Sequence, residues 1–304
     1  MRILVLGSGA IGGYFGGRLV EKGIDVTFLV RNKRKQQLEK NGLAIHSSKG
    51  DFSFTPKLIT KTDNTKPFDI VLLSSKAYNL KQAINDLKPF VGDKTVIIPL
   101  LNGVAHISLL KETFGDNKVI GGLCIIETTL NKKGDIVHSS AFDRLVFGEL
   151  ENQETNRIQK IAGIFSGTKA NFVLSNQIMI EIWHKYLFIT VMSGVTTLMR
   201  APIGPICESD GGRDFIRNLF NEAIKIMRAC KAPIADNIIE EHMKSIESLS
   251  YNFKTSMQRD MEKGLFIEGE HLQGYLLRLA AQFNIEAPFL KASYQNLKIY
   301  EEML

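Results

Sequence analysis

The sequence predicts an α/β fold: a parallel-sheet domain over residues 1–176, followed by an all-helical domain over 177–304. Three observations predict it. Short, wholly apolar runs alternate with helical stretches in the first half, strand signals stop near Asn176, and a helical period of apolar residues governs the rest of the chain. Strands that are apolar throughout and separated by helices belong to parallel sheets covered on both faces, because a strand with one wet face alternates instead. A chain of 304 residues has room for two cores of this kind.

Ile3–Leu6 is the first strand and Ile11–Lys22 the helix after it; Asp25–Val30 is the second strand. Ile70–Ser74, Thr95–Leu101, Val119–Gly121 and Arg144–Phe147 continue the sheet, with a helix over Asn79–Leu87. Gly134–His138 and Arg144–Gly148 are close enough to pair as a hairpin at the sheet's edge. Beyond Asn176, the stretch Ile178–Leu198 is apolar nearly all round and predicts a buried helix. Ile216, Leu219, Phe220, Ala223, Ile224 and Met227 mark the single stripe of a helix with one buried face. Leu272, Tyr275, Leu276, Leu279, Ala280 and Phe283 repeat that spacing. Pro288 opens a last helix, at the position where a missing N–H costs nothing.

Composition removes several classes of function. Hydrophobic residues at 44% and charged residues at 23% are ordinary for a soluble protein. No uninterrupted apolar run approaches the roughly 18 to 20 residues of a membrane span. The apolar run after Met1-Arg2 is too short for an export signal, so the expected compartment is the cytoplasm. Cys124, Cys207 and Cys230 are odd in number and far apart, which predicts reduced thiols with neither a disulfide set nor a metal site. The net charge of +6 is scattered along the chain, without the concentrated basic and aromatic pattern of a nucleic-acid binder. An anionic cofactor and an acidic small-molecule substrate account for it instead.

Gly7-Ser8-Gly9-Ala10-Ile11-Gly12 follows the first strand and opens a helix. In that setting the glycines have separate tasks. Gly7 permits the tight turn, Gly9 lets backbone approach a pyrophosphate, and Gly12 lets helix and strand pack closely. The helix start then offers N–H groups to the phosphates, which predicts a dinucleotide-binding sheet of the Rossmann type. A carboxylate at the end of the second strand would select NAD by gripping the ribose hydroxyls. Arg31 stands there instead, and a guanidinium suits a 2′-phosphate, so NADPH is the expected cofactor. The neighbouring Lys33, Arg34 and Lys35 are expected to be an ordinary solvated basic run. Lys76 and Asn102-Gly103 lie at further strand ends on the ligand-binding side, where a surface lysine and a plain turn are equally good readings.

Taken together, these segments resemble the ketopantoate reductase family over nearly the whole chain. The resemblance rests on Gly7–Gly12, Arg31, Lys76, Ile98-Pro99-Leu100-Leu101-Asn102-Gly103, Trp183-His184-Lys185, Ser256-Met257 with Asp260, and Gly264–Gly269. It implies reduction of a 2-oxo acid by NADPH, with ketopantoate of pantothenate biosynthesis as the leading substrate and a monomer or homodimer as the acting form. It also implies roles. Lys185 matches the catalytic lysine, Glu268 the glutamate that faces the substrate, Ser256 a substrate-binding serine, and Asn102 the asparagine beside the nicotinamide and the lysine. Without the resemblance, Lys185 would pass as a snorkelling side chain and Glu268 as a first-turn charge. His138 and His184 are expected to be structural.

One departure bears on the substrate. The family usually carries Asn four and eight residues after the lysine, on the same helix face, where the amides hold substrate hydroxyls. Here those positions are Ile189 and Ser193, and of the two only Ser193 can still face a substrate with a polar group. Ketopantoate's hydroxyl is then expected to be held poorly, and a branched acid lacking it to do relatively better. The alternative is that Ser193, a water or a residue of another helix supplies the contact. A different class of function, a non-catalytic NADPH sensor, has no need of Lys185 and Glu268.

Overall fold

Every residue of β1 (Ile3–Leu6) and β2 (Val26–Leu29) is buried, Thr27 included, and the two strands pair in parallel. The computed structural model describes residues 1–304 and divides them into two units. One comprises Met1–Asn102 with His106–Ile178, the other Met179–Leu304 with Gly103–Ala105.

In the first unit, α1 (Ala10–Glu21) joins β1 to β2, and α2 (Asn32–Asn41) leads on to β3 (Leu43–Ser47), β4 (Phe52–Phe54) and β5 (Lys57–Ile59). Next come β6 (Phe68–Leu73), α3 (Leu80–Leu87), β7 (Val91–Pro99) and α4 (Ala105–Phe114). The unit closes with β8 (Gly121–Leu130), β9 (Ile136–Gly148), α5 (Asn156–Phe165) and β10 (Asn171–Leu174). There are two sheets where one was expected. The first is wholly parallel in the order β5-β2-β1-β6-β7. Its β7 is an outer strand that ends on Pro99, where a missing N–H is tolerated.

The second sheet is mixed, in the order β10-β9-β3-β4 with β8 antiparallel to β9. Here the expected edge hairpin is corrected. Residues 136–138 and 144–148 belong to one continuous strand, β9, and the hairpin partner is β8, which turns into it through Asn131–Asp135. A 13-residue strand that runs through exposed Ser139 and Phe142 hides its continuity from a pattern search. The expected strand at Val119–Gly121 is split as well. Val119 bridges Ile97 beside the first sheet, while Gly121 opens β8 in the second.

Helix α1 packs on both sheets, and its glycines explain how. A Cβ on Gly12 would fall 2.2 Å from the Gly7 carbonyl and 2.1 Å from Ser74 Oγ, and one on Gly16 would meet Phe28 at 2.8 Å. On the adjoining face, Gly13 and Gly17 approach Ile136 and Ile45 of the second sheet at 2.5 and 2.6 Å by the same measure. Two i,i+4 rows without side chains thus bring two sheets onto one helix. Polar bonds reinforce the second contact. Tyr14 donates to buried Asp143 on β9 at 2.6 Å, and Lys49 pairs with the other carboxylate oxygen. Burial and the Asp143 charge push the Tyr14 phenol up to about 12.

The second unit is helical: α6 (Ile178–Leu198), α7 (Ile203–Glu208), α8 (Gly212–Ala229), α9 (Ile238–Glu247), α10 (Ser256–Glu262), α11 (Tyr275–Gln282) and α12 (Pro288–Glu302). One turn of π-helix, Glu270–Gly274, precedes α11. By length and composition α6 could cross a membrane, contrary to the count of uninterrupted apolar residues. Its turns are those of a packed core helix, with Tyr186, Leu187, Val191 and Val195 buried beside buried Thr190, Thr196 and Thr197. The stripe on α8 is buried as its spacing requires, and Glu222 on the same helix accepts from the Phe289 and Leu290 N–H groups at the start of α12.

His242 on α9 stacks on Phe220 of α8 and lies against Phe188 of α6, donating to the His184 carbonyl at 3.1 Å. Burial among these rings lowers its pKa from 6.5 to about 4. The unfolded chain therefore takes up this proton first as pH falls, and stability is lost between those two values. The shift corresponds to at most about 3 kcal/mol. Urea unfolding at pH 7 and pH 4.5 should show that loss, and His242→Phe, which keeps the ring packing, should reduce it. An unchanged pH slope in the variant would assign the acid sensitivity elsewhere.

Candidate functional site

A cavity of about 740 Å³ opens at the carboxyl ends of β1, β2 and β6, where the strand order of the first sheet reverses. Ligands of open parallel sheets bind at such a point because the connections diverge there and leave a crevice. Gly7, Ser8 and Gly9 form its floor, with Arg31, Lys61, Ser75 and Lys76 around it. Gly7 adopts φ +93°, which few side chains tolerate, and so turns the chain from β1 into α1. Gly9 has nothing within 4 Å of where a Cβ would be, so backbone there lies open to a ligand. As the residue before α1 it also offers no side-chain cap, leaving the first-turn N–H groups of Ala10, Ile11 and Gly12 for an anion.

The electrostatics favour a phosphate-rich ligand. Arg31, Arg34, Lys61 and Lys76 line the cavity, against a single carboxylate on Asp86. Arg31 precedes the first residue of α2 and is exposed toward solvent, as is Lys76 before α3. Ser75 adds a buried hydroxyl that no protein group engages. These features fit a dinucleotide: an open glycine, a bare helix start, a hydroxyl to donate and cations at the rim.

Arg34 was expected to be one of a solvated run, and its position is different. Its Nε donates to Ser8 Oγ and its Nη2 to the Ser8 carbonyl, both at 3.1 Å. The same Nη2 reaches the Gly134 carbonyl of the β8–β9 turn at 3.1 Å, and Nη1 holds Gln37. Arg34 thus ties the glycine loop to the second sheet. The three-residue spacing from Arg31 carried a faint signal of this, since one helical turn brings Arg34 back over the loop. The Thr60–Thr62 wall follows the three-residue β5, too short to register in the sequence.

Asn102 belongs to the first unit, three residues after β7, and is partly buried. The remaining candidates lie in the helical unit. Lys185, Ile189 and Ser193 succeed one another on one face of α6. Ser193 is buried, and its hydroxyl donates to the Ile189 carbonyl at 2.6 Å while accepting from Gln273 at 2.8 Å. A substrate would meet it only as an acceptor. Glu268 is 9% exposed and lies two residues before the turn holding Gln273. That turn is fastened to α6, because Tyr186 donates to the Leu272 carbonyl at 2.7 Å. Ser256 is exposed at the start of α10, whose capping Thr255 contacts Thr196. That contact lies about three turns along α6 from Lys185. His184 accepts from the Ala235 N–H at 3.2 Å, and His138 is buried between Ser47 and the Phe142 carbonyl. Both histidines are engaged structurally. No group of three or more metal-binding side chains converges in the chain.

Two family models match this chain. One, described as ketopantoate reductase PanE/ApbA, covers residues 3–152, and its C-terminal counterpart covers residues 177–301. The uncharacterised oxidoreductase YkpB of Bacillus subtilis is 47% identical over 301 residues, 99% of each chain. Among solved structures, the 2-dehydropantoate 2-reductase of Geobacter metallireducens superposes with a TM-score of 0.89 at 26% identity, covering 98% of this chain and 99% of its own. A D-mandelate dehydrogenase solved with NADH and anilino(oxo)acetate shares the fold, with a TM-score of 0.90 at 18% identity, over 100% and 99% of the two chains.

The bonds of Arg34 carry a testable consequence. Arg34→Met should weaken reduced-dinucleotide binding about tenfold, the loss of charge-assisted bonds worth roughly 1.5–3 kcal/mol being partly offset by relaxation of the loop. The effect should be equal for the phosphorylated and unphosphorylated cofactors, because Arg34 acts on the loop. Fluorescence titration with each nucleotide checks this, and a selective loss for one of them would give Arg34 a direct contact instead.

Proposed function

This chain belongs to the ketopantoate reductase family of oxidoreductases, and from that premise we propose that it uses NADPH to reduce a 2-oxo acid to a 2-hydroxy acid. The leading substrate is 2-dehydropantoate, which places the enzyme in cytoplasmic pantothenate biosynthesis. The observation that carries the reading is a cation-rimmed dinucleotide cavity in the same chain as Lys185 and Glu268 at the family's positions.

When bound, the reduced nicotinamide supplies a hydride to the keto carbon. Gly7, Ser8, Gly9 and the start of α1 would hold the pyrophosphate, and Arg31 would take the 2′-phosphate. An alkoxide would then develop on the keto oxygen, beside Lys185. The Lys185 ammonium stabilises that charge and gives up the proton that completes the hydroxyl. Glu268 and Ser256 orient the acid, and Asn102, at the end of the first sheet, would help hold the nicotinamide. A second reading keeps the reaction and changes the acid. It is favoured by Ile189 and Ser193 in place of two amides, and by a shared fold with an enzyme named for mandelate.

Following reduced-nicotinamide absorbance with a panel of 2-oxo acids that includes ketopantoate tests the proposal directly. Lys185→Ala should lower turnover at least about a hundredfold, as loss of a general acid does, with NADPH affinity nearly intact. Near-normal turnover in that variant would refute the mechanism. Arg31→Ala should remove most of the preference for NADPH over NADH through KM for NADPH. A wild-type enzyme indifferent to the 2′-phosphate would overturn the role given to Arg31.

A further inference from the structure

Two cations stand together at one edge of the cavity. Strands β2 and β5 run in parallel with Leu29 beside Ile59, and the Val30 N–H donates to the Ile59 carbonyl at 2.9 Å. Arg31 and Lys61 each come two positions after that last pair, so they leave neighbouring strand ends side by side. Adjacent strands are about 5 Å apart. Both side chains are exposed, and both line the cavity. Like charges set beside each other on neighbouring strands repel, and an anion held by both turns that repulsion into attraction.

The turn that carries Lys61 is built in advance. The Asp63 N–H donates to the Thr60 carbonyl at 3.1 Å, which makes Lys61 the second residue of a four-residue turn. The Asp63 carboxylate closes the same turn, accepting from the Thr60 N–H at 2.6 Å and from the Thr60 hydroxyl at 2.9 Å. With that proton committed, the Thr62 hydroxyl is the donor in its 3.0 Å contact with Thr60. The turn thus engages its own acid and hydroxyls and presents the Lys61 ammonium to the cavity. Nearby bases are occupied elsewhere, Arg34 on Ser8 and Gly134, and Lys35 at 4.0 Å from Asp63. Lys76 lines the cavity beyond the end of β6, which β1 separates from β2.

We propose that Lys61 is a second specificity-determining residue for the cofactor, its ammonium sharing the 2′-phosphate with Arg31. The inference rests on the NADPH reading above. A phosphomonoester carries a charge of about −1.5 to −2 at neutral pH, which one guanidinium leaves partly uncompensated. In a sheet of this type the adenosine ribose lies at the end of the second strand. Of the two lysines lining the cavity, Lys61 alone leaves a strand that adjoins β2. The two side chains divide the work by their shapes, Arg31 as a planar fork and Lys61 as a point charge.

The experiment measures dissociation constants for NADPH and NADH by fluorescence titration. It compares the wild type, Lys61→Met, Lys61→Arg, Arg31→Ala and the double variant of Lys61→Met with Arg31→Ala. Lys61→Met should weaken NADPH binding about fivefold to tenfold, the size of a charge-assisted bond partly open to water, and leave NADH unchanged. Lys61→Arg, which keeps the charge, should keep the wild-type preference. Whatever preference survives in Arg31→Ala should disappear in the double variant. If Lys61→Met weakens both nucleotides alike, or neither, Lys61 is a general rim charge and the inference fails, while a selective loss in Arg31→Ala leaves the NADPH reading intact. A wild type that binds the two nucleotides equally removes the NADPH reading and this inference together.

Discussion

The contact on which most of the N-terminal unit depends is the seating of α1 against two sheets at once. Gly12 and Gly16 let it lie on β1 and β2, and Gly13 and Gly17 let it lie on β3 and β9. Close packing forbids a larger residue at any of the four, because the atoms already there sit within about 3 Å of a Cβ. The same packing directs the start of α1 at the mouth of the cavity. Rigid placement of the phosphate-binding turn comes from the core, and the loop itself contributes little to it. Tyr14 and Asp143 add a directional bond to this contact, deep enough to be shielded from water.

Around the cavity, charge is arranged in two ranks. Arg31, Lys61 and Lys76 are exposed and can reorganise around an incoming anion. Arg34 is half-buried and already spends its donors on Ser8, Gln37 and Gly134. Burial lowers its pKa from the ordinary arginine value, with Asp135 opposing. A guanidinium keeps its charge under such conditions, which makes it suitable as a permanent brace where a lysine would not be.

In the helical unit, α6 works as the spine to which the candidate substrate residues are tied. Thr196, Thr197 and Ser193 return their hydroxyl protons to carbonyls one turn earlier, so these three side chains are buried with their donors paired. Tyr186 and Gln273 then fasten the π-turn beside Glu268 to the same helix. The carbonyl oxygen of Gln273 and the hydroxyl of Thr190 are what this arrangement leaves unsatisfied.

Local pattern determined a good deal here. The glycine turn after β1, the apolar parallel strands, the change to helical period after Asn176 and the arginine that follows β2 are all short-range features, each legible because one residue type meets one backbone or charge requirement. The family resemblance placed Lys185, Glu268 and Ser256 where no periodicity would single them out. Tertiary structure decided everything that depends on residues distant in sequence. The second sheet joins β3, β9 and β10, whose pairing no local window contains. Arg34 looks like any basic residue until the β8–β9 turn arrives beside it with a carbonyl to offer, 100 residues away. Gln273 likewise gains its meaning from Thr190 and Ser193, 83 and 80 residues earlier. Hydrogen bonds of that kind are set by the packing of whole elements, and so they exist only once the fold does.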